Sequence, residues 1–232
     1  MPTAVARNPT AYPFSPPSTS QLHQSQQPSP NSEFRTDLMS VHQQDFAAQA
    51  DLDPNNPFVM ADDYIKHRLE SSGHEWFDCP DLPDSTDARL AMRLLAADFE
   101  RRYNSELACM VTQLSINVDT IYPTFKQIVE QLFIDGINWG RIVALYAFGG
   151  AVAAQCMADD RPALVRQVAD WVAVFTRNRL QPWIDQQGGW DAFVAWYEGA
   201  STDKFWQSWK KIGLFAGAGI VGAVTLTRML SR

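Results

Sequence analysis

From Ile142 to Met157 the chain runs sixteen residues without a charged side chain. The stretch that contains its start, QLFIDGINWGRIVALYAFGG over residues 131–150, opens with an acidic, glycine-broken turn. A helix that is apolar on every side belongs either at the centre of a protein or in a membrane. At about 1.5 Å per residue the run spans roughly 24 Å, short of a hydrocarbon layer of about 30 Å, so burial inside a helical bundle is the favoured placement. Asn138 is placed to cap the helix, because its side-chain oxygen can accept from backbone N–H groups two or three residues on. Gly136 can end the preceding helix in a left-handed conformation. Arg141 is the cation at the mouth, in the first turn.

A buried helix needs amphipathic partners, and the rest of the chain supplies them. Asn56-Pro57 reads as a cap followed by proline at the first helical position, with Phe58, Ala61, Ile65 and Leu69 repeating behind it and Gly73 as a stop. An acidic loop holding Pro80 and Pro83 follows. The next helix starts near Ser85 or Thr86, and Ala88, Met92, Leu95 and Phe99 form one stripe, which Tyr103, Leu107 and Met110 continue. Ile121, Phe125, Ile128 and Leu132 mark a further helix before the apolar one. Arg161-Pro162 opens another, with Leu164, Val168, Trp171, Val172 and Phe175 on its apolar face, and short helices at Gln181–Gln187 and Trp190–Tyr197 complete the set. Period-two alternation is not sustained anywhere. The expected fold is all-α, amphipathic helices wrapped round one hydrophobic helix.

The expected organisation is a Pro/Ser/Gln-rich segment at 1–56, a helical domain at 57–200, a linker at 201–209 and an apolar tail at 210–232. Nine of the fourteen prolines fall at or before Pro57, and such a composition does not bury enough apolar surface to order itself. The start of the chain does not read as a signal peptide. In the tail, Lys210 and Lys211 precede IGLFAGAGIVGAVTLT and Arg228 follows, a pattern that suits a short C-terminal transmembrane helix. The alternative is that the tail folds back onto the domain. The net charge of −7 argues against a general nucleic-acid binder. Cys79, Cys109 and Cys156 form neither a metal pattern nor a disulfide framework, and small buried hydrophobes are their expected role. His23, His42, His67 and His74 have no metal-ligand spacing, and no serine or cysteine sits in a nucleophile motif. Neither catalysis, a metal nor a cofactor is expected.

The Asn138-Trp139-Gly140-Arg141 turn with Phe148-Gly149-Gly150, and the block Trp183-Ile184-Asp185-Gln186-Gln187-Gly188-Gly189-Trp190-Asp191-Ala192-Phe193, resemble the first and second homology motifs of the Bcl-2 family of apoptosis regulators. Asp63 to Trp76 resembles the fourth motif. The helix carrying Ala88, Met92, Leu95 and Phe99 takes the place of the third. There the family's small residue and aspartate are replaced by Ala96 and Ala97, with Asp98 one step later. That Ala-Ala-acid pattern resembles the Bcl-B/Nr-13 branch. The resemblance covers about Pro57 to the C-terminus.

The resemblance implies a bundle with a long apolar groove that receives a partner's amphipathic helix, the helix-in-groove mode of which this family is itself a standard example. Carried across, the groove residues are Phe99, Tyr103, Leu107, Met110, Ile128, Leu132, Asn138, Gly140, Arg141, Ala144, Phe148 and Tyr197. Arg141 would pair with a partner's aspartate. Its alternative is an internal ion pair with Asp98, Glu100 or Asp135, and for the apolar residues the alternative is plain core packing. The implied role is anti-apoptotic, sequestering the homology-3 helices of death-promoting relatives, with the tail anchored in the mitochondrial outer or endoplasmic-reticulum membrane and the domain facing the cytosol. A pore former of the Bak/Bax type and a tail-anchored adaptor recruited through the N-terminal segment are the alternatives.

Overall fold

The computed structural model describes residues 53–114 and 120–199. Most of the Pro/Ser/Gln-rich segment, the linker at 201–209 and the apolar tail at 210–232 lie outside the described residues. Those that are described fold into helices without a strand: α1 (Pro57–Glu70), α2 (Asp87–Arg102), α3 (Asn104–Gln113), α4 (Ile121–Leu132), α5 (Trp139–Ala158), α6 (Ala163–Phe175), α7 (Gln181–Gln187) and α8 (Gly189–Gly199), with a π-helical turn at Thr176–Leu180.

Local chemistry sets the helix starts. The Asn56 side chain accepts from the N–H groups of Phe58 and Val59, ahead of Pro57. Thr86 accepts from the N–H of Arg89 and so starts α2. One expectation needs correction. The stripe of Phe99, Tyr103, Leu107 and Met110 does not lie on one helix, because the backbone leaves the helical region at Tyr103 (φ −120°, ψ 30°). Its N–H still closes on Phe99 and its carbonyl receives Leu107, so the two helices join at a corner.

α5 lies at the centre. α1, α2, α3, α4 and α6 all pack against it, and Ile142 through Phe148 are all buried. It is twenty residues long, because it adds Trp139, Gly140 and Arg141 before the Ile142–Met157 run and Ala158 after it. At about 30 Å it is long and apolar enough to cross a membrane, yet it is mostly buried in the bundle.

The glycine pair on α5 explains how two helices come so close to it. A Cβ at Gly149 would stand 2.6 Å from Val172 Cγ2 on α6. One at Gly150 would stand 2.8 Å from the Tyr64 ring and 3.0 Å from the Arg68 stem on α1. Real carbon contacts sit at about 3.5–4.0 Å, so each glycine admits one neighbour.

Charges also hold α1 in place. Arg166 on α6 pairs with Asp62, whose side chain is fully buried, and with Asp170 at 3.1 Å. Its guanidinium lies 5.0 Å over the Trp76 ring. Burial pushes the Asp170 carboxyl up to about 7 against the opposing pull of Arg166, and burial raises Asp62 likewise. Asp63 takes a two-pronged pair from Arg93 on α2. Cys156 is buried, as expected of a small hydrophobe, whereas Cys79 is half-buried and Cys109 is exposed. Burial pushes the Cys156 thiol up to about 12 and that of Cys79 up to about 11, which keeps both unreactive.

Candidate functional site

The mouth of α5 is built by the residues just before it. Asn138 is extended (φ −154°, ψ 163°), and its Oδ1 accepts from the Arg141 N–H at 2.9 Å. Gly136 takes a left-handed φ of 101°. It does so within the turn after α4, not at that helix's cap, which is Phe133. This conformation turns the Gly136 carbonyl under the arginine, and Arg141 Nη1 donates to it at 2.6 Å.

Arg141 is only 4% exposed. Its Nη2 donates to Asp135 Oδ2 at 3.3 Å, while the Asp135 side chain stays 68% exposed. Its Nε is buried and has no hydrogen-bond partner. Of the three acids considered from the sequence, Asp135 is therefore the internal partner. Asp98 pairs instead with Arg101 and Arg102. Glu100 takes Arg68 Nε at 2.5 Å and the Tyr64 hydroxyl at 2.7 Å.

Trp139 links this turn to the second motif block. Its ring lies 4.9 Å from that of Trp183, 6.2 Å from Trp190 and 5.3 Å from Phe193. The two blocks, forty-odd residues apart in the chain, thus form one aromatic cluster where α5 meets α7 and α8.

The other groove candidates fall round α5. Leu107 and Met110 lie on α3, Ile128 and Leu132 on α4, and both helices pack on α5 with little contact between them. Ala144 and Phe148 belong to the buried face of α5, and Phe148 stacks on Phe125 of α4 at 5.3 Å. Phe99 and Tyr103 lie ring against ring at the α2–α3 corner, 4.8 Å apart. α8, which carries Tyr197, packs on α2. Phe99, Leu107, Met110, Ile128, Leu132, Ala144 and Phe148 are buried, and Tyr103 and Tyr197 are half-buried. Gly140 is buried beside Arg141.

Ala88, Met92, Leu95 and Phe99 all face the core, and none exceeds 4% exposure. Ala96 is buried next to them, whereas Ala97 faces outward. A separate open pocket of about 420 Å³ lies along α1 and α2, with Tyr64, Arg68, Arg93, Ala97 and Glu100 in its wall. None of the groove candidates lines it.

Sequence reading missed the buried ion pairs that fasten α1. A signal existed: Asp62 falls on the stripe of Phe58, Ile65 and Leu69, spaced four, three and four residues, where a carboxylate has to find a partner.

Bundle, capped arginine turn and paired motif blocks together define a helical protein built round one buried apolar helix with a cation at its mouth. The sequence profile described as apoptosis regulator proteins, Bcl-2 family, matches residues 92–190. Bcl-2-like protein 1 of Gallus gallus is 36% identical over 169 residues, which cover 72% of this chain and 71% of that protein. Bcl-2-like protein 1 of Homo sapiens is 37% identical over 144 residues, or 61% and 62% of the two chains. Apoptosis regulator Bcl-2 of Gallus gallus is 36% identical over 141 residues, or 61% and 60%. The match thus spans less than two thirds of the last two relatives. The chain belongs to the Bcl-2 family of apoptosis regulators.

Proposed function

We propose that this protein is a survival-promoting member of the family, which captures the homology-3 helices of death-promoting relatives between α3 and α4, over α5. The single observation that carries the reading is the state of Arg141. Its guanidinium is buried at the mouth of an apolar helix, yet one of its N–H donors has no acceptor. A buried donor without a partner costs about 1–3 kcal/mol, and a carboxylate brought by another helix relieves that cost. The apolar side chains of α3, α4 and α5 supply affinity by leaving water, and the arginine sets register.

The survival role, against the death-promoting one, is supported by the protein's own third motif. Its stripe is spent in the core, and Ala97 stands where a donor helix would carry the aspartate for another member's arginine. Such a chain accepts a helix and is a poor giver of its own. The alternative, a pore former, has one observation in its favour, since α5 is long and apolar enough to span a bilayer. Membrane anchoring through residues 210–232, at the mitochondrial outer or endoplasmic-reticulum membrane, completes the proposal.

Titration calorimetry with homology-3 peptides tests the site. Arg141→Ala weakens binding by at least about tenfold, roughly 1.4 kcal/mol, and unchanged affinity removes Arg141 from it. Dye release from liposomes tests the role. The protein protects against release, whereas peptide-triggered leakage by this protein alone favours the pore former. Truncation after Gly199 moves the chain from the membrane pellet to the soluble fraction, and continued pelleting refutes the anchor.

A further inference from the structure

We infer that Asp135 is a built-in competitor for Arg141: it occupies the guanidinium while the site is empty, and an incoming carboxylate binds by displacing it. The inference rests on the helix-capturing role proposed above and adds a residue that sets its threshold.

The guanidinium is held asymmetrically. It carries five N–H donors. Nη1 is spent on the Gly136 carbonyl at 2.6 Å, a firm bond. Nη2 reaches Asp135 at 3.3 Å, the long end of the hydrogen-bond range, through a single oxygen. Nε, although buried, meets no acceptor. A guanidinium offers a carboxylate two parallel N–H groups, and Asp135 takes one of them. A carboxylate that engaged both Nη2 and Nε would satisfy the donor that Asp135 leaves unmet. The internal acid is thus the poorer of two ligands for the same cation.

Asp135 is also free to leave. Its side chain is 68% exposed, so on release it returns to water that it has barely left. An ion pair with so exposed a member contributes little and is readily exchanged. The turn that carries it does not hold α5 together, since Asn138 caps that helix. The neighbouring Ile134 is 66% exposed, so the turn is not packed down by its own apolar residue. Gly136, at φ 101°, is the conformationally permissive point of the turn. Arg141 itself stays put, because the Gly136 carbonyl holds its other end. Displacement therefore needs only a side-chain swing of Asp135 and no rearrangement of the bundle.

The test uses the full chain and two synthetic amphipathic peptides with four apolar anchors. One carries an aspartate facing the arginine, and its twin carries alanine there. Asp135→Ala tightens binding of the aspartate peptide about two- to fivefold, the range that an exposed ion pair commands. It leaves the alanine twin unchanged, and Asp135→Glu keeps the original affinity. In the Arg141→Ala background the effect of Asp135→Ala disappears. If Asp135→Ala leaves the aspartate peptide unchanged or weaker while Arg141→Ala still weakens it, the competitor is refuted and the helix-capturing role stands. If no variant binds either peptide, that role fails and the competitor falls with it. A measurement without peptide separates the two: in the nitrogen-15 spectrum of the free protein, Asp135→Ala shifts the Arg141 guanidinium signals and speeds their rotation. Unmoved signals overturn the inference whatever the peptides do.

Discussion

Replacing Gly149 with alanine asks whether the glycine pair on α5 is there to let α6 approach. The added methyl would stand 2.6 Å from Val172 Cγ2, about 1 Å inside ordinary contact. Val172 is buried, at 1% exposure, and a valine in a helix keeps essentially one χ1 rotamer, so its methyl does not swing clear. Either α5 and α6 separate or a rotamer is strained, and overpacking of this kind costs about 1–3 kcal/mol. Alanine recovers about 1 kcal/mol over glycine inside a helix, so the single substitution alone is a poor reporter. A double-mutant cycle cancels that term. Val172→Ala in the original background removes two buried methyl groups and costs roughly 2 kcal/mol. In the Gly149→Ala background the same change also relieves the clash, so it costs less by about 1–3 kcal/mol. Urea unfolding followed by tryptophan fluorescence, with all four chains fitted to a common slope, measures the coupling. Costs that add to within about 0.5 kcal/mol refute the close-approach explanation.

Three further outcomes follow from the charges and caps. Asp170 holds its proton to about pH 7 in the folded chain, against about 3.9 when unfolded, so its contribution to stability is complete below about pH 4 and is lost as the pH rises through 7. The urea midpoint therefore falls between pH 5 and pH 8, and Asp170→Asn flattens the fall; a midpoint that rises over this window contradicts the assignment. Arg166→Met strands the fully buried Asp62 carboxylate and destabilises by about 3–5 kcal/mol, part of which returns in the double variant with Asp62→Asn. A loss below about 1 kcal/mol means that the pair is incidental. Asn138→Ala removes the cap of α5 at a cost of about 1 kcal/mol and speeds hydrogen exchange of the Arg141 amide, whose unchanged rate speaks against the cap.

The helical bundle was legible in the sequence because its cause is local. One uncharged run demands burial, and the surrounding stripes supply the faces that bury it. Caps at Asn56, Thr86 and Asn138 are readable for the same reason, since a side chain and the N–H it satisfies lie within three residues. The corner at Tyr103 was not, because Phe99, Tyr103, Leu107 and Met110 keep helical spacing straight through it. The acid that meets Arg141 was narrowed to three and no further, because Asp135 reaches it only once Gly136 has turned left-handed. The fastening of α1 was out of reach altogether, since Asp62 and Arg166 are 104 residues apart and the chain between them has to fold first. The glycine pair was visible as a motif, yet its purpose depends on which side chains arrive from α1 and α6.

The indole of Trp139 shares its neighbourhood with those of Trp183 and Trp190, and the same short stretch of α5 carries the cation at the mouth. Indoles this close exchange excitation, so emission from the corner responds to small changes in their spacing and polarity. The molecule consequently carries its own optical gauge: the helix capture proposed at the first turn of α5 would alter the colour and yield of the native fluorescence, and its occupancy could be followed without attaching a dye.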